Sequence, residues 1–235
     1  RTRDGNRSET TGKLYSSTYM SKLLVETPLG KKDKNGLANN SLFLSGKTSY
    51  LRQSAPIFYP YVETRFGGLP FTFNDIYGKF TTQSKGGSKL SAKAFNFSDA
   101  VMLDSVQGIQ WNSWGYGANF TVIPPASATL IQGDFAQSYY FISSTENPDQ
   151  PRNSSINGFN GGLDFTYFLG KADEIKYGLD LIGYSTDFNY TNSLGLGLNQ
   201  QESTTELGGF FNYRKVGTLL ILEPGLRLHY YGSLS

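Results

Sequence analysis

Gly46-Lys47-Thr48, inside SLFLSGKTSYL at residues 41–51, is the triplet that closes a nucleotide-binding P-loop. A phosphate cradle also needs a glycine five residues earlier, so that backbone N–H groups wrap the phosphates, and a helix that starts at the lysine. Ser41 stands at that position, and the alternation after Thr48, with Pro56 close behind, predicts no helix there. GLGLNQ at 195–200 lacks the third glycine of a dinucleotide fingerprint and lies in a polar stretch read as a loop. His229 is the single histidine and cysteine is absent, which excludes His-His metal sites, thiolate ligands, disulfides and a cysteine nucleophile. Glu223 and Arg227 share a strand side with His229, and no Ser or Asp spacing beside it signals a hydrolase, so it reads as a polar wall residue. No catalytic residue, metal or cofactor is expected, and the chain is not read as an enzyme.

The elements that hold these residues are strands. Charged residues make up 17% of the chain, below the roughly 25% of an average soluble domain, while 27 glycines and 15% aromatics are both high. This composition fits an all-β chain. The net charge of +2 comes from 21 basic and 19 acidic residues without a single-sign run, so nucleic acid is not an expected partner. No apolar run approaches the roughly 20 residues of a membrane-spanning helix, and residues 1–13 carry no signal-peptide core. The chain is therefore read as cytoplasmic, or as a mature product or internal piece.

Apolar and polar residues alternate along the chain. Leu220, Leu222, Leu226, Leu228 and Tyr230 lie opposite Glu223, Arg227 and His229; Ile175, Tyr177, Leu179 and Leu181 lie opposite Lys176 and Asp180. The stretches 161–169 and 204–214 obey the same rule, and weaker versions recur back to residue 10. Together they predict about eleven strands of about ten residues each, and at a tilt of about 45° each rises roughly 23 Å, close to the apolar band of an outer-membrane barrel. Short connections such as SKGGS, GKAD and RKVG alternate with long ones: residues 52–70, 99–110, 144–158 and 186–203. Such alternation is expected of an up-and-down barrel with its long loops at one end.

The succession RTRDGN, YMSKLLVETPLGKKDKN, SLFLSGKTSYL, FNDIYGKFTTQ and KLSAKAFNF resembles the opening of the barrel in TonB-dependent outer-membrane receptors, especially those of Bacteroidota. FTYFLGKADEIKYGLDL and LEPGLRLHYY resemble later strands of that family. The resemblance implies that residues 1–9 are the end of a plug and the entry to the barrel. Residues 10–235 are then the first half of a plugged transmembrane barrel of 22 strands in the outer membrane of a Gram-negative cell. The implied function is to bind an extracellular solute and pass it through the lumen. The implied partners are outer-membrane lipid, the plug and remaining strands, a surface lipoprotein, and an energising TonB-type protein. The alternative is a family member that serves as a structural or assembly subunit of an outer-membrane complex. A hydrolase on a smaller barrel and a soluble β-sandwich are the other readings.

Charges on a lipid-facing side cost up to about 2–4 kcal/mol at the midplane, so Lys47, Asp75, Lys79, Asp164, Asp180 and Glu206 are expected to face the lumen. Gly46, on the lipid side, is read as leaving room for a neighbouring side chain. Five aromatics stand where no core needs them: Phe58, Tyr59 and Tyr61 in PIFYPYVE, and Trp111 and Trp114 at a loop-strand border. They are candidates for ligand or partner capture, and the two tryptophans more readily form part of an interfacial aromatic girdle.

Overall fold

A computed structural model of the chain describes residues 3–61, 69–102, 108–145, 150, 152–170, 172–192 and 194–234. Twelve strands form one antiparallel sheet in chain order, and the sheet does not close on itself. They are β1 (Thr11–Ser16), β2 (Met20–Lys32), β3 (Ala38–Ser49), β4 (Phe71–Gln83), β5 (Lys89–Met102) and β6 (Gly108–Val122). Then follow β7 (Thr129–Thr145), β8 (Arg152–Leu169), β9 (Asp173–Thr191), β10 (Gly197–Val216), β11 (Ile221–Leu222) and β12 (Gly225–Leu234). A single helix, α1 (Leu51–Phe58), joins β3 to β4. β11 and β12 both pair with β10 in one continuous register, with the break at Glu223-Pro224. Proline cannot donate to a ladder, yet its carbonyl still accepts from Tyr213 N–H, so the ladder continues past the break. The expected all-β meander is present, with twelve strands where about eleven are expected, because Glu223-Pro224 divides the last one in two.

Two expectations fail. The helix α1 forms in the stretch expected not to be helical. Pro56 removes only the bond that would run to the Arg52 carbonyl, while the N–H groups of Gln53, Ser54 and Tyr59 are satisfied within or beside the helix. The stretches read as long loops at 144–158 and 186–203 are mostly strand: β8 begins at Arg152, β9 runs to Thr191, and the chain turns back where Asn192 N–H donates to the Leu196 carbonyl. In that turn Asn192 Oδ1 accepts from the N–H groups of Leu194 and Leu196, and Gly195 has φ 77°. The same geometry, with Asp33 in place of Asn192, closes β2 to β3 over Asp33–Leu37. Polar composition here does not mean loop, because a backbone ladder continues wherever its partner strand continues. Strand lengths accordingly grow from 12 residues at β3 to 20 at β10. The stretches 62–68, 103–107 and 146–149, which belong to the expected long loops, lie outside the described residues.

The sheet has two faces of different chemistry. The inner face, defined here as the one on which residues 3–8 lie, carries Glu26, Lys47, Asp75, Lys79, Asp164, Asp180, Glu206, Arg227 and His229. Each polar residue assigned from alternation is on this side. The outer face carries Leu42, Leu44 and Ile76, then Phe120, Phe135, Leu163, Phe165, Tyr177, Leu179, Leu207, Phe211, Leu226 and Leu228. Among the described residues the buried apolar side chains are Ala38 and Ala55 alone, whereas Leu179 is 60% exposed and Ile76 66%. No second layer covers the outer face among the described residues.

The outer apolar residues form a band oblique to the ladder. The upper edge passes from Ile76 on β4 to Leu207 on β10, four rows lower, and the lower edge from Phe80 to Tyr213, six rows lower. Six inter-strand steps of about 4.8 Å against four to six residues of about 3.4 Å give strands tilted by about 30° to the band's normal. Along β9 the band runs from Ile175 to Gly183, so its height is about 24 Å after correction for that tilt.

Glycines on the two faces differ in how closely their neighbours approach. A Cβ on Gly117 would sit 2.6 Å from the Phe135 carbonyl oxygen, whereas one on Gly46 would find its nearest atom at 4.0 Å. Gly46 thus makes no room for any side chain, contrary to the expectation from sequence. Gly117→Ala is expected to destabilise the protein by about 1–3 kcal/mol, as overpacking does, and Gly46→Ala to leave stability nearly unchanged. Urea unfolding of the two full-length variants in detergent checks the difference.

Candidate functional site

The inner face of β2–β5 is where the chain folds back on itself. Residues 3–8 cross it as an extended segment with three charged anchors. Arg3 reaches Glu26, 2.8 Å away and almost wholly buried. Asp4 lies between Lys79, at 2.7 Å, and Lys89, with the Thr81 hydroxyl donating to the same carboxylate at 3.4 Å. Arg7 donates to the Ala38 carbonyl at 2.7 Å and to Gln83 Oε1 at 2.8 Å. Gly5 passes so close to β3 that a Cβ would stand 2.5 Å from the Leu42 carbonyl oxygen, so only glycine fits between Asp4 and Asn6. Alternation alone puts Glu26 and Lys79 on this face, but nothing in the sequence pairs them with Arg3 and Asp4.

Lys47, the lysine of the apparent P-loop, forms an ion pair with Asp75 at 2.7 Å and lies 4.6 Å over the Phe73 ring. It sits inside β3, with α1 beginning four residues later, so no helix N-terminus faces it. Farther along the inner face, Arg227 bonds Asp180 at 3.1 Å, and Gly208 leaves space for its guanidinium, which lies 2.9 Å from where a Cβ would be. Asp134 and Asp180 flank Gly162 in the same row, and Asn160 donates to Asp134 at 3.0 Å. His229 Nε2 faces Glu206 at 3.2 Å. This wall presents alternating acids, bases and amides, chemistry suited to binding polar solutes or polypeptide.

The five aromatic candidates separate into three places. Phe58, Tyr59 and Tyr61 stay together at the end of α1, where Tyr59 stacks on Tyr19 at 6.1 Å with their hydroxyls 2.5 Å apart, and Tyr61 meets Tyr59 edge-on. Phe58 and Tyr61 are more than half exposed. Tyr19 was missed because it lies on the β1–β2 turn, forty residues away. Trp111 and Trp114 are not in a loop but inside β6, and their spacing of three puts them on opposite faces. Trp114 joins Tyr116 and Tyr139 at the upper edge of the outer band, with rings 6.3 and 5.9 Å apart. Trp111 faces inward between Asp99 and Ile142.

No family model, curated protein or solved structure matches the chain.

Burial pushes the Asp4 carboxyl up, but hydrogen bonds from Lys79 and Lys89 and the charges of both outweigh it and hold the group below the usual carboxylate range. A depressed folded value means that the docked state is favoured in full above the unfolded pKa of about 3.9 and is lost as pH falls through the folded value. The protection of amides 3–8 relative to their intrinsic exchange rates is expected to fall below about pH 4, while the ladder amides of β4 and β5 stay protected. Asp4→Asn should give fast exchange at every pH.

Proposed function

We propose that this chain is a wall segment of a transmembrane β-barrel in an outer membrane, of the kind that resembles TonB-dependent receptors. In this reading its inner face lines a plugged lumen through which an extracellular solute passes. The observation that carries the reading is the oblique outer band. Its height of about 24 Å is close to the roughly 25 Å apolar belt of outer-membrane barrels, and the strand tilt of about 30° approaches their 35–45°. A soluble sandwich would bury such a face under a second sheet about 10 Å away. Here the apolar face is bare among the described residues, and the covered part of the sheet is the charged one. Trp114, Tyr116 and Tyr139 at the band's upper edge suit an interface, where an amphipathic ring meets headgroups.

The membrane can satisfy the outer side chains but not an unpaired strand edge. β1 and β12 each have one such edge, so the reading requires further strands to pair with them. The docked residues 3–8 suit a chain that arrives from inside the barrel, as a plug-to-barrel connection would. The aromatic group on α1 lies at the end opposite the turns at 33–37 and 84–88, where a solute would first be met. The resemblance to solute receptors, with an energising partner and a surface lipoprotein, is the source of the transport assignment.

The chain has no cysteine, so single-cysteine variants of the full-length protein can be spin-labelled cleanly. In nanodiscs, labels replacing Leu44 and Leu179 are expected to collide with oxygen in preference to a water-soluble nickel chelate. Labels replacing Asn157 and Ser185, on the same face above the band, should show the reverse. Nickel preference at Leu44 and Leu179 would end the membrane reading. Leu179→Arg, at the centre of the band, is expected to cost about 2–4 kcal/mol of folding stability in bilayers. For transport, deleting the full-length gene should abolish accumulation of the solute, and removing the energising partner should do the same. Intact accumulation with loss of an outer-membrane assembly would instead favour the structural-subunit alternative.

A further inference from the structure

The inner face of β2–β5 is hollowed beside the docked segment. Arg3, Lys22 and Lys47 border a concavity of about 370 Å³ whose floor is formed by Phe43, Tyr77 and Phe97. Parity brings them together: Lys22 stands directly opposite Lys47, Ser45 opposite Tyr77, and Asp75 opposite Phe97. The floor is held by ring contacts, with Tyr77 edge-on to Phe43 at 5.7 Å and Phe97 stacked on Phe95 at 4.8 Å. Two lysines facing each other across a ladder repel. Asp75, 2.7 Å from Lys47, relieves one of them. Among the described residues Lys22 has no hydrogen bond or ion pair. Arg3 meets Glu26 through Nη2, and its side chain stays 66% exposed. Tyr77 has its hydroxyl buried with no hydrogen-bond partner among the described residues, a state that is costly until something bonds it.

We infer that this concavity is a binding site for a small aryl carboxylate. The inference rests on the solute-receptor reading and gives the chemical class of the solute. Charge selects an anion, because three cations face two carboxylates, Glu26 and Asp75. The neighbouring inner charges do not cancel that surplus: Lys13, opposite Leu24, and Asp99, opposite Phe73, offset each other, and Asp4 is shared by two lysines. The groups that lack partners are all donors: Lys22, the remaining N–H groups of Arg3 and the Tyr77 hydroxyl. A carboxylate only accepts, so it satisfies all three kinds at once. The aromatic floor suits a ring laid flat or edge-on. The volume lies near the lower end of the roughly 300–1,000 Å³ of small-molecule sites, which is too small for a folded polypeptide. Residues 3–8 form one side of the concavity through Arg3 and do not fill it. The row of Lys47 and Asp75 adjoins Ile76, the upper edge of the outer band, so the site faces a solute that enters from the α1 end.

The test uses the full-length protein in nanodiscs, with benzoate as the probe and benzamide, the same ring without the charge, beside it. In saturation-transfer NMR titrations benzoate is expected to bind about tenfold more tightly than benzamide, the effect of one charge-assisted hydrogen bond. Lys22→Gln should weaken benzoate by about the same factor, and Tyr77→Phe, which keeps the ring, by a smaller one. Lys93→Gln lies on the same face, opposite Lys79 and outside the concavity, and should leave the affinity unchanged. Absence of binding, equal binding of benzoate and benzamide, or full benzoate affinity in Lys22→Gln would overturn the site. An equal loss in Lys93→Gln would overturn it too, by showing a general attraction of the basic wall. Binding is measured without transport, and oxygen preference at Leu44 and Leu179 and solute accumulation are separate readouts. The site can therefore fail while the membrane and receptor readings stand, and a failure of either reading is seen on its own.

Discussion

A single-layer sheet must find the partners of its side chains outside itself. Each strand from β2 to β10 satisfies its backbone on two neighbours, so the ladder holds whatever the side chains are. The side chains then divide by parity, and a slip of one residue would exchange the two faces entirely. From β2 to β10 the register is unbroken except for one irregularity between Leu29 and Lys32, beside a turn. That constancy keeps Leu44, Ile76 and Leu179 on one side and Lys47, Asp75 and Asp180 on the other. With Ala38 and Ala55 as the buried apolar residues, the sheet has almost no core of its own. Its stability depends on the medium against each face.

The inner face meets that demand first with the chain's own beginning. Lys79, almost buried in the wall, would be costly to leave without an acid beside it, and Asp4 supplies one that Lys89 shares. Glu26 is buried deeper, and Arg3 reaches it. These pairs need the segment close to the sheet, which Gly5 permits by lacking a Cβ against Leu42. Elsewhere on the same face, glycines at 162 and 208 do similar work beside charged side chains, giving Asp134, Asp180 and Arg227 room to lie flat on the ladder. High glycine content and low charge are thus two aspects of one wall.

How much of this was legible in the sequence depended on whether the signal was periodic or spatial. Period-two alternation in 173–181 and 220–230 gave the strands, their faces and the sides taken by Lys47, Asp75 and His229. The turns at 33–37 and 84–88 were legible as turn-forming residues, and Gly36 and Gly87 do adopt positive φ. Strand ends were not legible, because Asn, Ser and Thr at 152–158 and 185–203 look like loop although the ladder runs through them. Helix α1 was hidden by Pro56, whose penalty is small when only one turn follows it. Ion pairs across more than seventy residues, such as Asp4 with Lys79, have no local signature. Trp111 and Trp114 were grouped by proximity, when their odd spacing already placed them on opposite sides.

Part-way along β8 and β9 the apolar residues change faces, and this reversal explains why the polar stretches misled. A strand in one constant environment keeps one phase of alternation along its length, so a reader who follows that phase loses the strand when apolar residues change sides. Loss of phase imitates loss of strand. Yet Tyr184, Phe188 and Tyr190 still recur at even positions, and Ser185, Asp187 and Asn189 at odd ones. The period is intact and only the assignment of faces has turned over. A change of phase at constant period implies that the strand has passed from one pair of media to another, and Gly183, which sits between Leu181 and Ser185, marks where β9 does so. The same crossing occurs at Phe159 on β8 and at Leu207 on β10, lower on the ladder than at Ile76 on β4. It therefore follows the oblique edge of the band and not the ends of the strands. In the proposed membrane setting, one boundary external to the sheet would set both.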